Sequence, residues 1–193
     1  MDALTIAAAS GIRSRMQSLD LLANNLANSA TAGFKQDQEF YGLYTSADAT
    51  AGENGSVSTL PVIEKQWTDY SAGNIQPTGN PMDVAISGNG FFVVNGPKGP
   101  LYTRNGNLQA LPSGQLATAN GYVLTNTSGG PIQVAPNIPV EIAKDGTVQQ
   151  GGQTVGQIQV VSFKSNDSLA KMGSQCFQNT GYNNGSLRAV TNQ

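Results

Sequence analysis

The amino-acid sequence predicts a mainly β protein: an irregular antiparallel all-β domain, of the meander, sandwich or barrel-like kind, preceded by one long N-terminal α-helix. Near the N-terminus, apolar residues recur at alternating steps of three and four, which is the spacing of one face of a helix. From Val57 onward, short apolar runs alternate with Gly, Asn and Asp turn residues. Helices do not alternate with these runs, so a parallel βαβ sheet is not expected.

The N-terminal helix is expected from about residue 3 to about residue 29, with Gly33 as its left-handed stop and Phe34 as the hydrophobic residue beyond. A single narrow apolar seam runs along it. The rest of the sequence predicts no second helix long enough to pair with this seam, so we expect it to contact another molecule. The candidate subunit-interface residues of the seam are Ala9, Ile12, Met16, Leu19, Ala23 and Leu26.

The sequence predicts three parts along the chain. Residues 1–35 form the N-terminal axial helix, residues 36–65 an extended or flexible connection, and residues 66–185 the all-β domain. Within the connection, Ala47–Ser56 is composed of small and polar residues, which favours a flexible stretch.

Several segments of the β region carry specific predictions. The continuous apolar run Phe91–Val94 predicts a strand, and further strands are predicted at Leu101–Arg104 and Val155–Phe163. The pair Asn105–Gly106 predicts a tight hairpin turn. Ser168–Met172 predicts a single helical turn.

The residue inventory argues against catalysis and against a bound metal or other cofactor. The chain has no His, so Ser–His and Cys–His nucleophile pairs are excluded, and its single cysteine, Cys176, cannot form a thiolate cluster. We expect Cys176 to be a buried small hydrophobe. Asp83, alone in an apolar run, is expected to be a hydrogen-bonded structural carboxylate. The sequence therefore predicts no catalytic, cofactor-binding or metal-binding residue, and a protein that is not an enzyme.

The charge and the hydropathy of the sequence exclude further classes of binding partner. The formal net charge is −2 and basic residues do not cluster, so neither nucleic acid nor an anionic membrane is an expected partner. Apolar windows are too short for membrane insertion. The N-terminus lacks a basic region, and Ser10 and Arg13 interrupt its apolar stretch, so we expect no cleavable signal peptide.

Three sequence blocks resemble, in the same order, the signatures of bacterial flagellar rod and hook proteins. The first comprises Leu22–Asn28 and Thr31–Lys35, and the other two lie within residues 71–94 and 102–122. The residues matched to these motifs are Asn24, Asn25, Leu26, Asn28, Gly33, Phe34, Asp83, Gly90, Phe91, Phe92, Tyr102, Thr103, Arg104 and Gly106.

The resemblance is to the FlgF/FlgG family of flagellar basal-body rod proteins. It implies a structural subunit that polymerises helically into the drive shaft for motility, located in the periplasm-spanning rod. The implied partners are further copies of the chain, other rod and hook proteins, and the flagellar export apparatus. The short region after Lys35 resembles proximal-rod members more than distal-rod members, and a distal-rod or hook-like subunit is the alternative.

The resemblance also bears on the end of the chain. In the family, the N-terminal helix packs against a C-terminal helix of the same chain. Residues 186–193 stand about where the family turns back toward that helix, so we expect them to be the start of a return segment that this chain does not complete.

A different reading makes the chain a glycan- or surface-binding β module with an oligomerisation helix. Its stacking face would consist of Trp67, Tyr70, Tyr102 and Tyr122.

Overall fold

The computed structural model describes residues 3–45, 59–181 and 188–189. The predicted flexible stretch Ala47–Ser56 lies outside these residues. Antiparallel strands dominate and one helix stands at the N-terminus, so the predicted fold class is confirmed.

The chain folds into two compact units. Unit 1 consists of Met1–Ala30 and Lys35–Tyr70, and unit 2 of Thr31–Phe34 and Ser71–Gln193. The segment Thr31–Phe34 therefore belongs to unit 2, although the chain on both sides of it belongs to unit 1. The polypeptide passes between the units three times, at the two ends of this segment and after Tyr70.

Unit 1 is a helix packed on a two-stranded antiparallel hairpin. Its elements are α1 (Ala3–Ala27), β1 (Asp37–Thr45) and β2 (Thr59–Thr68), and α1 packs on both strands. The helix ends before Gly33, because Asn28 Nδ2 and Ser29 Oγ donate hydrogen bonds to carbonyl groups of its last turn, at 2.9 and 2.8 Å. Gly33 has the expected left-handed conformation, with φ +73°, but lies six residues beyond the last helical residue.

Sequence analysis did not anticipate the hairpin, since it treated residues 36–65 as a connection. Strands β1 and β2 pair from Asp37 with Thr68 to Thr45 with Thr59, and the register shifts between Phe40 and Tyr41. Their pairing partners are distant in sequence, and neither strand alternates cleanly between apolar and polar residues. A window of neighbouring residues therefore contains little sign of the pairing.

Unit 2 contains twelve strands in its described residues, and all their pairings are antiparallel. One sheet has the order β10-β9-β8. The larger sheet has the order β12-β13-β4-β3-β7-β6-β5, and β11 joins it through β3 and also pairs with β14. The strands are β3 (Phe91–Gly96), β4 (Gly99–Thr103), β5 (Leu108–Ala110), β6 (Leu116–Thr118), β7 (Val123–Leu124), β8 (Val140–Ile142), β9 (Thr147–Gln150), β10 (Gln153–Gln157), β11 (Val160–Ser162), β12 (Leu169–Met172), β13 (Cys176–Asn179) and β14 (Arg188–Ala189).

The hydrophobic core described by the structure lies in unit 2. Its fully buried side chains include Val94, Leu116, Leu124, Ile132 and Val148, contributed by both sheets and by the loop that carries Ile132. Such interlocked apolar side chains are the main source of stability for a β domain.

Three local predictions were wrong. Asn105–Gly106 does not connect a hairpin, because β4 pairs with β3 and β13, whereas the following strand β5 pairs with β6. The predicted strand Val155–Phe163 is divided between β10 and β11, which belong to different sheets. Leu169–Met172 is a strand paired with β13 and not a helical turn. In each case a pairing distant in sequence overrides the local pattern.

Candidate assembly surface and motif cluster

The six predicted seam residues all lie exposed on α1. The exposed fractions are 62% for Ile12, 61% for Met16, 63% for Leu19 and 72% for Leu26, and Ala9 and Ala23 are exposed as well. Leu22 is 62% exposed and widens the stripe. Sequence analysis missed Leu22 because, at about 100° per residue, it lies roughly 80° around the helix from Ile12 and outside a narrow seam.

The opposite face of α1 is the one that packs against the hairpin. Ser14 is only 6% exposed, and Ser18, Leu21 and Asn25 are half-buried. These residues lie about 180° to 240° around the helix from Ile12. The helix thus turns a mostly polar stripe toward its own hairpin and leaves its apolar stripe outside, the reverse of the usual arrangement of an amphipathic helix.

Polar groups fill the contact between α1 and the hairpin. The Tyr41 hydroxyl hydrogen-bonds both the Ser18 hydroxyl and the Glu39 carboxylate. The hydrogen bond to Glu39, with a smaller contribution from burial, raises the pKa of Tyr41. Ser14 Oγ and Glu39 Oε2 are buried and have no hydrogen-bond partner among the described residues. These described polar contacts contribute little hydrophobic stabilisation, and their groups lose hydration.

Asn25 explains part of the first sequence block. Its Nδ2 donates to the Asp37 carbonyl at 2.8 Å, and its Oδ1 accepts from the Asp37 amide at 3.1 Å. The side-chain amide thereby pairs with the first residue of β1 as a neighbouring strand would. Asn24, the preceding residue, is exposed, and Asn28 is half-buried.

In unit 2, the structure brings together motif residues that are far apart in sequence. They meet around the turn Thr103–Asn107, which we call the motif turn. A Cβ atom added to Gly33 would lie 2.3 Å from the Asn105 nitrogen, and one added to Gly106 would lie 1.7 Å from the Val84 oxygen. Both glycines therefore allow a backbone approach that no side chain permits.

Hydrogen bonds hold the motif turn on the strand-β13 side. Thr103 Oγ1 donates to the Gln175 carbonyl at 2.6 Å and accepts from the Asn105 amide at 3.0 Å. Asn105 Nδ2 donates to Gln175 Oε1 at 2.9 Å, and Asn105 Oδ1 accepts from the Asn107 amide at 3.0 Å. Gln175 lies outside the recognised blocks, so only the structure identifies it as their partner.

Two cation–π contacts flank the motif turn. The Lys171 ammonium lies 4.3 Å from the centre of the Phe34 ring, and the Arg104 guanidinium lies 5.2 Å from that of Phe91. Burial lowers the pKa of Arg104, whose Nε is buried and finds no hydrogen-bond partner in the described part of the chain. Sequence analysis gave no signal for Lys171, because a single Lys in a short polar segment is an ordinary surface residue.

Asp83 is held in a local hydrogen-bond network. Thr78 Oγ1 donates to Asp83 Oδ2 at 2.7 Å, and Asn80 Nδ2 donates to Asp83 Oδ1 at 2.9 Å. Asn80 Oδ1 accepts from the Met82 amide at 3.1 Å, which closes the turn. Instead of a strand, Asp83 forms an isolated bridge with Asn107. These contacts fit a structural carboxylate that ties its segment to the motif turn.

The remaining motif residues lie in the core. Gly90, Phe91, Phe92 and Tyr102 are buried, and Cys176 is buried too, as expected, which raises the pKa of its thiol. Because Tyr102 is only 5% exposed and packs edge-on against Phe163 at 4.8 Å, it is not available to a glycan-stacking face.

The described residues contain no group of three or more His, Cys, Asp or Glu arranged to hold a metal ion. Among the same residues, no helix combines the length and the apolarity that a membrane span requires. A cleft of about 340 Å³ in unit 2 carries two charged side chains, Lys144 and Asp145. Asp145 already accepts hydrogen bonds from the Thr147 amide and hydroxyl, which lower its pKa.

Comparisons with known proteins identify the family. Residues 85–150 match the family model described as the flagellar hook protein FlgE/F/G D1 domain. The chain is 34% identical to the flagellar basal-body rod protein FlgF of Caulobacter vibrioides over 163 residues, covering 84% of this chain and 66% of the relative.

Two relatives named FlgG are similar over more of the chain. FlgG of Buchnera aphidicola subsp. Schizaphis graminum is 34% identical, covering 88% of this chain and 71% of the relative. FlgG of Bacillus subtilis is 31% identical, covering 94% of this chain and 74% of the relative. The chain therefore belongs to the FlgF/FlgG family of flagellar basal-body rod proteins, which are structural proteins of the rod.

Proposed function

We propose that this chain is a rod subunit whose α1 seam binds helices of neighbouring rod molecules. The observation that carries the proposal is the orientation of α1: its own hairpin covers the polar stripe, and four of the predicted seam residues remain more than 60% exposed. A large apolar stripe left open to water on a folded protein is typical of an interaction surface.

The energy available at the seam is adequate for assembly. Burying an exposed Leu, Ile or Met side chain contributes about 1.5 to 3 kcal/mol, so five that are partly exposed hold on the order of 5 kcal/mol per helix. Part of that energy offsets the entropy lost on association. Contacts that repeat without closing into a ring extend a filament, as a rod requires. Partners are further copies of this chain and other rod or hook proteins.

A charge substitution in the seam tests the proposal. We expect Met16→Asp/Leu19→Asp to abolish incorporation into rods and swimming, because two carboxylates would be desolvated at each contact. Gln17→Asp/Asn24→Asp is the matched control, since it also places two aspartates at exposed positions of α1. Incorporation is measured by immunoblotting of purified basal bodies. Normal incorporation of the seam variant, or equal loss in the control, contradicts the proposal.

We place the subunit in the proximal rod, on the resemblance of the short region after Lys35 to proximal-rod members. Both FlgF and FlgG proteins are among the similar relatives, so position is tested directly. A tagged copy should be found at the inner-membrane end of the rod by cryo-electron microscopy of basal bodies. Its appearance at the hook end assigns it to the distal rod.

We further propose that the chain leaves the cytoplasm through the flagellar export apparatus without cleavage. The support for this proposal is that the chain belongs to the family of flagellar basal-body rod proteins. Mass spectrometry of the protein from purified basal bodies should find the N-terminal peptide that contains Asp2 and Ala3. A mature N-terminus farther along the chain contradicts this route.

A further inference from the structure

We infer that Thr31–Phe34 is an anchor by which unit 2 holds the polypeptide between α1 and β1, so that load passes from the seam helix into the β domain through more than the single link after Tyr70. The inference rests on the rod role proposed above. Its first support is chain topology, because these four residues belong to unit 2 while the residues on both sides belong to unit 1.

The contact of Gly33 with the motif turn is the second support. An added Cβ would lie 2.3 Å from the Asn105 nitrogen, 2.5 Å from the Arg104 carbonyl carbon and 2.8 Å from the Arg104 oxygen. All three atoms are backbone atoms, which cannot swing aside as a flexible side chain can. Gly33 also has φ +73°, a conformation that L side chains rarely adopt.

The surface that receives Gly33 is itself fixed. Thr103 and Asn105 are hydrogen-bonded to Gln175, and the Val84 amide donates to the Gly106 carbonyl at 2.9 Å. The anchor therefore contacts a turn that is tied to two other parts of unit 2. A mobile surface loop would not hold the chain against force in this way.

Phe34 supplies the third support. Its amide donates to the Thr31 carbonyl at 3.2 Å, which closes the segment into a turn, and Lys171 lies over its ring. Next in the chain, the side chain of Lys35 is only 7% exposed. Trypsin cleaves after lysine, so access to Lys35 reports whether the anchor is held.

Three glycines allow a matched test on the isolated protein. Gly33 combines positive φ with the backbone contact, Gly79 has φ +77° with nothing within 4 Å of an added Cβ, and Gly73 has neither feature. We expect Gly33→Ala to raise the initial rate of tryptic cleavage after Lys35 by about tenfold, because cleavage follows the population of the released state. Gly79→Ala and Gly73→Ala should leave that rate unchanged. Equal rates for Gly33→Ala and Gly79→Ala overturn the anchor.

A second variant keeps the test decisive if Gly33→Ala does not fold. Lys171→Gln removes the cation over Phe34, and we expect about a two- to fivefold faster cleavage after Lys35. Lys164→Gln, at an exposed position of the same unit, is its control. No difference between these two variants overturns the anchor.

The mechanical role of the anchor is tested in cells. Gly33→Ala subunits should enter rods, but the cells should lose more swimming speed than Gly79→Ala cells as the viscosity of the medium rises. Equal speeds at high viscosity, or exclusion of the variant from rods, overturn that role. Because the proteolysis is done on isolated protein, failure of the anchor and failure of seam-driven assembly give different results.

Discussion

At the scale of single residues, Gly33 and Gly106 let backbone segments pack closely at the motif turn because they have no side chain. Gly33 contacts the turn from the anchor segment, and Gly106 lies within the turn, against the Val84 carbonyl. Gly106 has no left-handed φ, so its requirement is one of space alone. Val84 therefore contacts Gly106 through both of its backbone groups. Its carbonyl leaves no room for a side chain on Gly106, and its amide donates a hydrogen bond to the Gly106 carbonyl at 2.9 Å.

Substituting Gly106 should destabilise unit 2 strongly. In Gly106→Ala the new methyl group would overlap the Val84 oxygen, and relief requires moving the 83–84 segment away from the motif turn. We expect a loss of about 2 to 4 kcal/mol in the free energy of unfolding, measured by urea titration with circular dichroism.

The control for this substitution is Gly156→Ala. Its added Cβ would lie 3.5 Å from Ile132, an ordinary van der Waals distance, and its φ is not positive. We expect a change within about 0.5 kcal/mol. A Gly106→Ala protein as stable as this control would mean that the turn tolerates rearrangement.

At the scale of elements, the contacts described between the side chains of α1 and its hairpin are mainly hydrogen bonds. Among the described contacts, the pair between Asn25 and Asp37 is distinctive because one side chain satisfies both backbone groups of a strand residue. Asp37 is half-buried, and backbone groups that lose water on folding need partners, so losing a partner costs more than the bond itself contributes.

Asn25→Ala should therefore weaken unit 1. We expect a loss of about 1 to 3 kcal/mol from the two unmade hydrogen bonds, partly offset by the higher helix propensity of Ala. Asn24→Ala gains the same propensity at an exposed position, so the difference between the two variants isolates the bonds. Fluorescence of Trp67, the only tryptophan and a residue of β2, follows the unfolding of unit 1. Equal midpoints for the two variants would contradict a role for the pair.

Which elements the sequence could predict depends on how far apart the interacting residues are. The spacing of Ile12, Met16 and Leu19 is a local property and predicted both α1 and its apolar stripe. The hairpin of β1 and β2 was not predicted, because each strand pairs with residues that are distant from it in the sequence. The same reason explains β12, whose strand character comes from pairing with β13 and not from its own residues.

The motif residues were recognisable in sequence, but their meeting place was not. Resemblance marked Gly33, Asp83 and Arg104 separately, and the local pattern gave them unrelated roles: a helix stop, a structural carboxylate and the end of a strand. Lys171 and Gln175 complete the cluster from a segment without a recognisable pattern. Close approach of backbones is a property of tertiary structure, so no local rule predicts which glycine a neighbouring carbonyl requires.

At the scale of the whole molecule, the two units differ in how they are stabilised. The buried apolar side chains described by the structure all belong to unit 2. Among the described side chains of unit 1, the buried ones are Ser14 and Lys35, both polar. Since apolar burial is the dominant favourable term in folding, unit 1 should have the lower free energy of unfolding in the isolated subunit.

The chain contains its own probe for each unit, so this difference can be measured directly. Trp67 reports on unit 1, and Cys176, the only cysteine, lies buried in unit 2. Burial also raises the pKa of the Cys176 thiol, which keeps it protonated and unreactive until unit 2 opens.

In a urea titration of the isolated subunit, Trp67 fluorescence should change at a lower concentration than the alkylation rate of Cys176. Asn25→Ala should move only the first transition, and Gly106→Ala only the second, because two-state unfolding applies to each unit separately. Coincident transitions that shift together in both variants would show a single cooperative unit. In that case, the effect of a seam substitution on assembly could not be separated from its effect on the β domain. Separate transitions would instead allow assembly to stabilise unit 1 alone, by binding its folded form.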